Sequence, residues 1–244
     1  MKTKLLAVIF SMAAVFAAVA PAYAAGGGNL QHANVNIRDT AAAQRGARLF
    51  VNYCMSCHAA SYMRYNRIAE DLGLGEDAVI ENLMFADAKI GETMDIAMRP
   101  EDAEKWLGKA PPDLSLISRS RTADWLYTYL LTFYQDESGG WNNQVLANAS
   151  MPHVMWQLQG IQKPFYSTDE AGHEAVDHLV LNQPGLQTPE EYEETVRDLV
   201  TFLQYLGEPA KLKRKNAGIW VLLFLAFFTM IAYLLKLEYW RDVH

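Results

Sequence analysis

Both cysteines of the 244-residue chain fall in one pentapeptide, Cys54-Met55-Ser56-Cys57-His58. This C-x-x-C-H spacing is the attachment pattern of c-type haem. Each thiol can add across one vinyl group, which makes two thioethers. His58 follows at once and is placed to offer the iron an imidazole nitrogen. The close spacing matters because one turn of chain must reach both vinyls and the proximal face. Two other chemistries also use a C-x-x-C pair. A dithiol redox motif usually follows a strand and gives no reason for the adjacent histidine. A zinc site needs a second pair of ligands, and the chain has no third cysteine to begin one. The expected cofactor is one covalently bound haem c.

A six-coordinate iron needs a residue on its other face. Met151-Pro152 is the best candidate, in a loop-like stretch from Ala147 to His153. The proline removes a donor and stiffens the backbone behind the thioether. Met155, Met94 and Met98 are alternatives, and His153 is a further one. His/Met ligation raises the reduction potential relative to two histidines. Arg119 and Arg121 follow the block Pro111-Pro112-Asp113-Leu114-Ser115 and can pair with the haem propionates. His173 and His178, five residues apart, do not share a helical face and read as surface or loop residues.

Two helices must position these groups. Ala41 to Tyr53 repeats Ala43, Gly46, Leu49, Phe50 and Tyr53 at three- and four-residue steps, with Asp39 or Thr40 as cap. Gly46 would let a second helix approach closely. Thr188 to Leu206 supplies that helix. It opens with a capping box, Thr188-Pro189-Glu190-Glu191. Tyr192, Val196, Leu199, Val200, Leu203 and Leu206 form its apolar stripe, and Gly207 and Pro209 end it. Residues 159–187 read as polar and loop-rich, with short strands at Phe165-Tyr166-Ser167 and His178 to Leu181.

The ends differ from the middle. Residues 1–24 read as a cleaved secretory signal: Lys2 and Lys4, an apolar run from Leu5 to Ala20, then Ala22-Tyr23-Ala24. Ala217 to Leu235 contains no charge and is long enough, at roughly 28 Å, to cross a membrane. Residues 211–216 form a basic collar before it, and residues 236–244 a short tail, expected in the cytoplasm. Positive-inside counting alone would put the collar in the cytoplasm. The signal and the haem motif put residues 25–210 on the periplasmic side of a bacterial inner membrane, with the lysines against anionic headgroups.

The whole chain has a formal charge of −7 and a mean hydropathy near zero. Residues 25–210 alone carry 13 Lys and Arg against 26 Asp and Glu, a net charge of −13. That balance argues against nucleic acid as a partner. It suits a field that attracts a basic soluble protein.

The resemblance to a family rests on these pieces in order. They are Asn52 to His58, Tyr62, Ala110 to Ser115, Ser118-Arg119-Ser120-Arg121, Gly139-Gly140-Trp141-Asn142, Met151-Pro152 and one span behind a basic stretch. In that order the chain resembles the cytochrome c1 family, the haem subunits of quinol–cytochrome c reductase (cytochrome bc1) complexes, in a bacterial form. The region between Cys57 and Pro111 is shorter and of different composition, so contacts made there are not carried over. The resemblance implies a mainly α fold: a cytochrome c-like haem domain with loop insertions and one C-terminal transmembrane helix. It implies Met151 as axial ligand and Arg121 on a propionate.

The expected cofactor-binding set is Cys54, Cys57, His58, Met151, Arg121, Arg119 and Pro112, with His58 and Met151 on the metal. The implied partners are cytochrome b, a Rieske iron–sulfur protein and soluble cytochrome c. The chain itself would do no substrate chemistry. Two rival readings remain. One is an anchored cytochrome c serving a terminal oxidase or another reductase. The other is a haem enzyme or sensor with an open iron site, for which His153 is the nearby acid–base candidate.

Overall fold

The computed structural model describes residues 30–85, 88–168 and 174–242. The expected signal, residues 1–24, and His173 lie outside them. Helix α1 (Thr40–Leu49) starts where Asp39 Oδ1 accepts a hydrogen bond from the Ala42 amide at 3.0 Å. Ala42, Ala43, Gly46 and Ala47 form its buried face. Its last turns widen into a π-helical segment, Phe50–Cys54, closed by the Met55 amide donating to the Phe50 carbonyl at 3.0 Å. Such a widening often marks a functional site. Here it runs straight into the cysteine motif.

After β1 (Ala60–Arg64) come α2 (Tyr65–Leu72), α3 (Glu76–Leu83), β2 (Thr93–Met94) and α4 (Pro100–Leu107). Then follow α5 (Ile117–Ser120), α6 (Ala123–Leu131), β3 (Phe133–Gln135), β4 (Trp141–Asn143) and α7 (Trp156–Gln159). The strands β5 (Gly160–Thr168) and β6 (Glu174–Pro184) precede two longer helices, α8 (Pro189–Gly207) and α9 (Lys211–Tyr239). Three antiparallel pairs form, β1 with β2, β3 with β4 and β5 with β6. Part of the negative charge serves the helices themselves. Glu76 and Asp77, Glu101 and Asp102, and Glu190 and Glu191 occupy the first turns of α3, α4 and α8. There they complement the positive end of the helix dipole.

The core centres on α1 crossing α8. In α8 the capping box is formed on both sides, with Thr188 Oγ1 accepting from the Glu191 amide and Glu191 Oε2 from the Thr188 amide. All six residues of the expected stripe are buried. A Cβ on Gly46 would stand 2.1 Å from the Asp198 carbonyl oxygen, so only glycine permits this crossing. Beside it, Arg45 holds the Asp198 carboxylate with two bonds, at 2.5 and 2.7 Å. Phe50 packs on Phe202 with ring centroids 5.6 Å apart. Helix α6 lies on the same side of the core, where the Tyr192 hydroxyl donates to the Leu130 carbonyl at 3.1 Å.

Two expectations change. The stretch 159–187 is mostly a paired ribbon, β5 with β6, reaching well beyond the two short strands read from the sequence. Its polar, low-contrast sequence hides the strands because the pairing is made across the ribbon. The basic collar, residues 211–216, is helical. It forms the first turns of α9, continuous with an apolar stretch at Ala217–Tyr239 that is fully exposed in the isolated chain and long enough to cross a membrane. Lys213 reaches Glu70 at 3.0 Å and Asp71 at 3.4 Å, and Arg214 pairs with Glu208. Two of the collar's charges therefore face protein carboxylates, where headgroups were expected.

Candidate haem site

The cysteine motif continues the helical path for one more turn. The amides of Cys57 and His58 both donate to the Cys54 carbonyl, at 3.0 and 2.8 Å. This places Cys54 and His58 one above the other, as residues four apart on a helix are. Cys54 is buried, Cys57 is half-buried, and both are free thiols. Burial, with the neighbouring Cys57, pushes the Cys54 thiol up to about 12. A thiol so protonated is a poor redox nucleophile. The pair also follows a helix rather than a strand. No cluster of three or more metal-ligating His, Cys, Asp or Glu occurs among the described residues.

His58 is held by the Pro-Pro-Asp-Leu-Ser block. Its Nδ1 donates to the Pro112 carbonyl oxygen at 2.8 Å. Three more bonds continue the seam. The Leu114 amide donates to the Ala59 carbonyl at 2.8 Å, the Ser61 amide to Asp113 Oδ2 at 2.9 Å, and the Tyr62 amide to Ser115 Oγ at 3.1 Å. Asp113 Oδ1 also accepts from the Ser115 amide at 2.7 Å, which shapes the turn. With Nδ1 committed as donor, Nε2 carries the lone pair. A metal-binding histidine is usually oriented in this way. Burial lowers the His58 pKa, only partly opposed by the Pro112 bond and by Asp113, so the neutral, ligating form is favoured.

The other expected residues are placed as follows. Met151 sits half-buried in the irregular run between β4 and α7, packed on the core that includes Cys54. Among its rivals, Met94 pairs with Ala60 in the β1–β2 ladder and is fully buried, and Met155 is a core side chain. Met98 is half-buried just ahead of α4. Arg119 and Arg121 are exposed beside the Pro112 block, and neither meets a carboxylate among the described residues. Arg121 lies over the Trp125 ring at 4.7 Å. His178 stacks on Phe165, its partner across the β5–β6 ribbon, at 4.9 Å.

His153 is enclosed by aromatic rings. Burial, weakly opposed by Gln159, lowers its pKa to about 4, so it stays neutral. Sequence reasoning missed two sets of supports. Asp113 is one. Asn142 and Asn143 are the other: Asn143 Oδ1 accepts from the amides of Val145 and Leu146, and Asn142 Oδ1 from that of Asn148. The signal was the pair of asparagines after Gly-Gly-Trp, residues that commonly bond nearby backbone.

The residues fit a haem. Two thiols and an imidazole share one turn, the imidazole nitrogen is oriented, a thioether stands at the same core, and two arginines follow the Pro112 block with no carboxylate partner among the described residues. Helix pair, pentapeptide and an apolar C-terminal helix long enough to cross a membrane point to the class of anchored c-type cytochromes. The family model described as the Cytochrome C1 family matches residues 31–243, and the chain belongs to that family. Cytochrome c1 of Allochromatium vinosum is 48% identical over 95% of this chain and 98% of its own length. A Nitrosomonas europaea protein named ammonia monooxygenase gamma subunit is 48% identical over 88% of this chain and 89% of its own. Cytochrome c1 of Rhodospirillum rubrum is 28% identical over 82% and 81%. The chain is thus a membrane-anchored haem c subunit of a bc1-type complex, the kind that also holds cytochrome b and a Rieske protein.

Proposed function

We propose that this chain carries single electrons from the Rieske iron–sulfur protein to a soluble cytochrome c. Haem c supplies the one-electron chemistry when bound. Cys54 and Cys57 would hold it by two thioethers, and His58 would offer Nε2 to the iron. Met151 would offer its thioether sulfur as the second protein ligand. Arg119 and Arg121 neutralise the propionates, and Pro112 orients His58. The single observation that carries this reading is the 2.8 Å bond from His58 Nδ1 to Pro112. A hydrogen bond there fixes the ring and raises its donor strength toward a metal.

The acidic domain, residues 25–210, then faces the periplasm and draws a basic acceptor, with an on-rate that falls steeply with salt. Residues 1–24 are its export signal, residues 217–235 its span and residues 236–244 its cytoplasmic tail. Packing of the His153 ring against Phe133, Trp141 and Tyr192 removes it as a free distal acid–base group and supports a closed iron site over an open one.

Purification from solubilised membrane tests the reading. Cytochrome b and an iron–sulfur protein should accompany the chain, and flash reduction should pass electrons through it to added cytochrome c. Co-purification with a terminal oxidase or an oxygenase instead would overturn the partner assignment.

A further inference from the structure

The loop carrying Met151 has no regular structure from Gln144 to Pro152, so something else must set where its sulfur stands. Its upstream end is tied by Asn142 and Asn143, and buried Asn143 is itself anchored by a 2.7 Å bond to the Tyr129 carbonyl. Its downstream end is His153, two residues beyond Met151 and only 2% exposed. The His153 ring stacks on Phe133 with centroids 5.1 Å apart and planes 4° from parallel. Trp141 meets it edge-on at 5.4 Å and Tyr192 at 6.3 Å. These three rings come from β3, β4 and α8, so the slot is made by separate elements of the core. Pro152 lies between plug and sulfur and allows the backbone little freedom.

We infer that His153 is a positioning residue for Met151, its ring seating the axial-ligand loop in a slot formed by Phe133, Trp141 and Tyr192. The inference rests on the reading in which Met151 ligates the iron. The ring acts mainly by shape and stacking: buried Nε2 makes no well-formed hydrogen bond among the described residues, with the Gln159 amide as a polar neighbour. A flat apolar ring should therefore do the same work. Dispersion between stacked rings depends on close contact, and a cavity in their place forfeits it.

The test uses the full-length, membrane-anchored holoprotein. The readouts are the far-red thioether-to-iron absorption of the oxidised form, the reduction potential, and carbon monoxide binding by the reduced form. Covalent haem is measured separately on denatured protein. His153→Ala should keep covalent haem, lose the far-red band, lower the potential and admit carbon monoxide. His153→Phe should restore all three. A far-red band and potential unchanged in His153→Ala would overturn the inference while leaving Met151 as ligand. A native protein with no far-red band would overturn the ligand assignment, and the inference with it. If His153→Ala does not accumulate, Phe133→Leu removes the stacking face from the other side. It should weaken the band, and an unchanged band there also overturns the inference.

Discussion

His58 Nδ1 and the Pro112 carbonyl oxygen meet at 2.8 Å across 54 residues of sequence. The contact joins the turn that would hold haem to a block of a different kind, a rigid diproline followed by an aspartate. Pro112 contributes only its main chain, and Asp113 keeps that main chain in place by accepting from Ser61 and Ser115. Imidazole orientation is thus decided by a carboxylate that does not touch the imidazole through its side chain.

Asp113→Ala should loosen the seam. We expect a loss of about 1 kcal/mol in stability and a lower reduction potential with covalent haem retained. Thermal melts and redox titration check this. The carboxylate also makes an acid-dependent contribution. Burial pushes its pKa up, but hydrogen bonds from Ser115 and Ser61 outweigh that and hold it below the ordinary value. A group depressed in the folded state stabilises above its unfolded pKa and loses that contribution as pH falls through the folded one. Wild-type stability should therefore drop through this group below roughly pH 4. Asp113→Asn should flatten that part of the profile.

Met151→Leu tests the thioether directly. The side chain is nearly isosteric, so packing on the core should change by less than about 1.5 kcal/mol. The far-red band should vanish and the potential fall sharply. Pyridine haemochrome assay should still report a full complement of covalent haem. An unchanged potential would remove Met151 from the ligand set and return attention to half-buried Met98.

Gly46→Ala probes the crossing of α1 and α8. The added methyl meets backbone at 2.1 Å and the Phe202 Cβ at 2.7 Å, so the helices must part. Overpacking of this kind costs about 1–3 kcal/mol. Because α1 leads directly into Cys54, haem attachment should fall along with the melting temperature. A wild-type melt would show that the two helices can separate at little cost.

Asp71 and Lys213 link the membrane helix to the haem domain. The Asp71 side chain is 3% exposed and accepts from Arg67 at 3.1 Å, the buried Tyr205 hydroxyl at 3.1 Å and Lys213. Asp71→Ala leaves that hydroxyl without its carboxylate and should cost about 1–3 kcal/mol. Lys213, with 71% of its side chain exposed, contributes a screened surface pair. Its replacement by alanine should cost little, and less than the loss of Asp71. A double-mutant cycle measured by thermal melting separates the two. Equal losses would mean that the lysine, rather than the buried hydroxyl, dominates the junction.

Much of the fold is legible along the chain because its signals are local. Asp39 caps α1, and Thr188 with Glu191 caps α8, through side chains within a turn of the groups they satisfy. The stripe from Tyr192 to Leu206 repeats at the helical period, and every member is buried. The apolar run from Ala217 declares itself by length alone. The β5–β6 ribbon did not, because its pairs, such as Phe165 with His178, are made across the strands and leave no alternation strong enough to read.

By itself the sequence determined the haem-type pentapeptide, the two core helices, the apolar span and the acidity of the domain between the ends. Each follows from residue type and short spacing. Tertiary structure decided the rest. It chose Pro112 as the acceptor for His58 and Asp113 as the support of that contact. It set His153 among three rings and turned part of the basic collar toward Glu70, Asp71 and Glu208. These partners are backbone oxygens, ring faces and carboxylates supplied by distant segments. Their pairing depends on how the helices cross, which residue spacing alone does not encode.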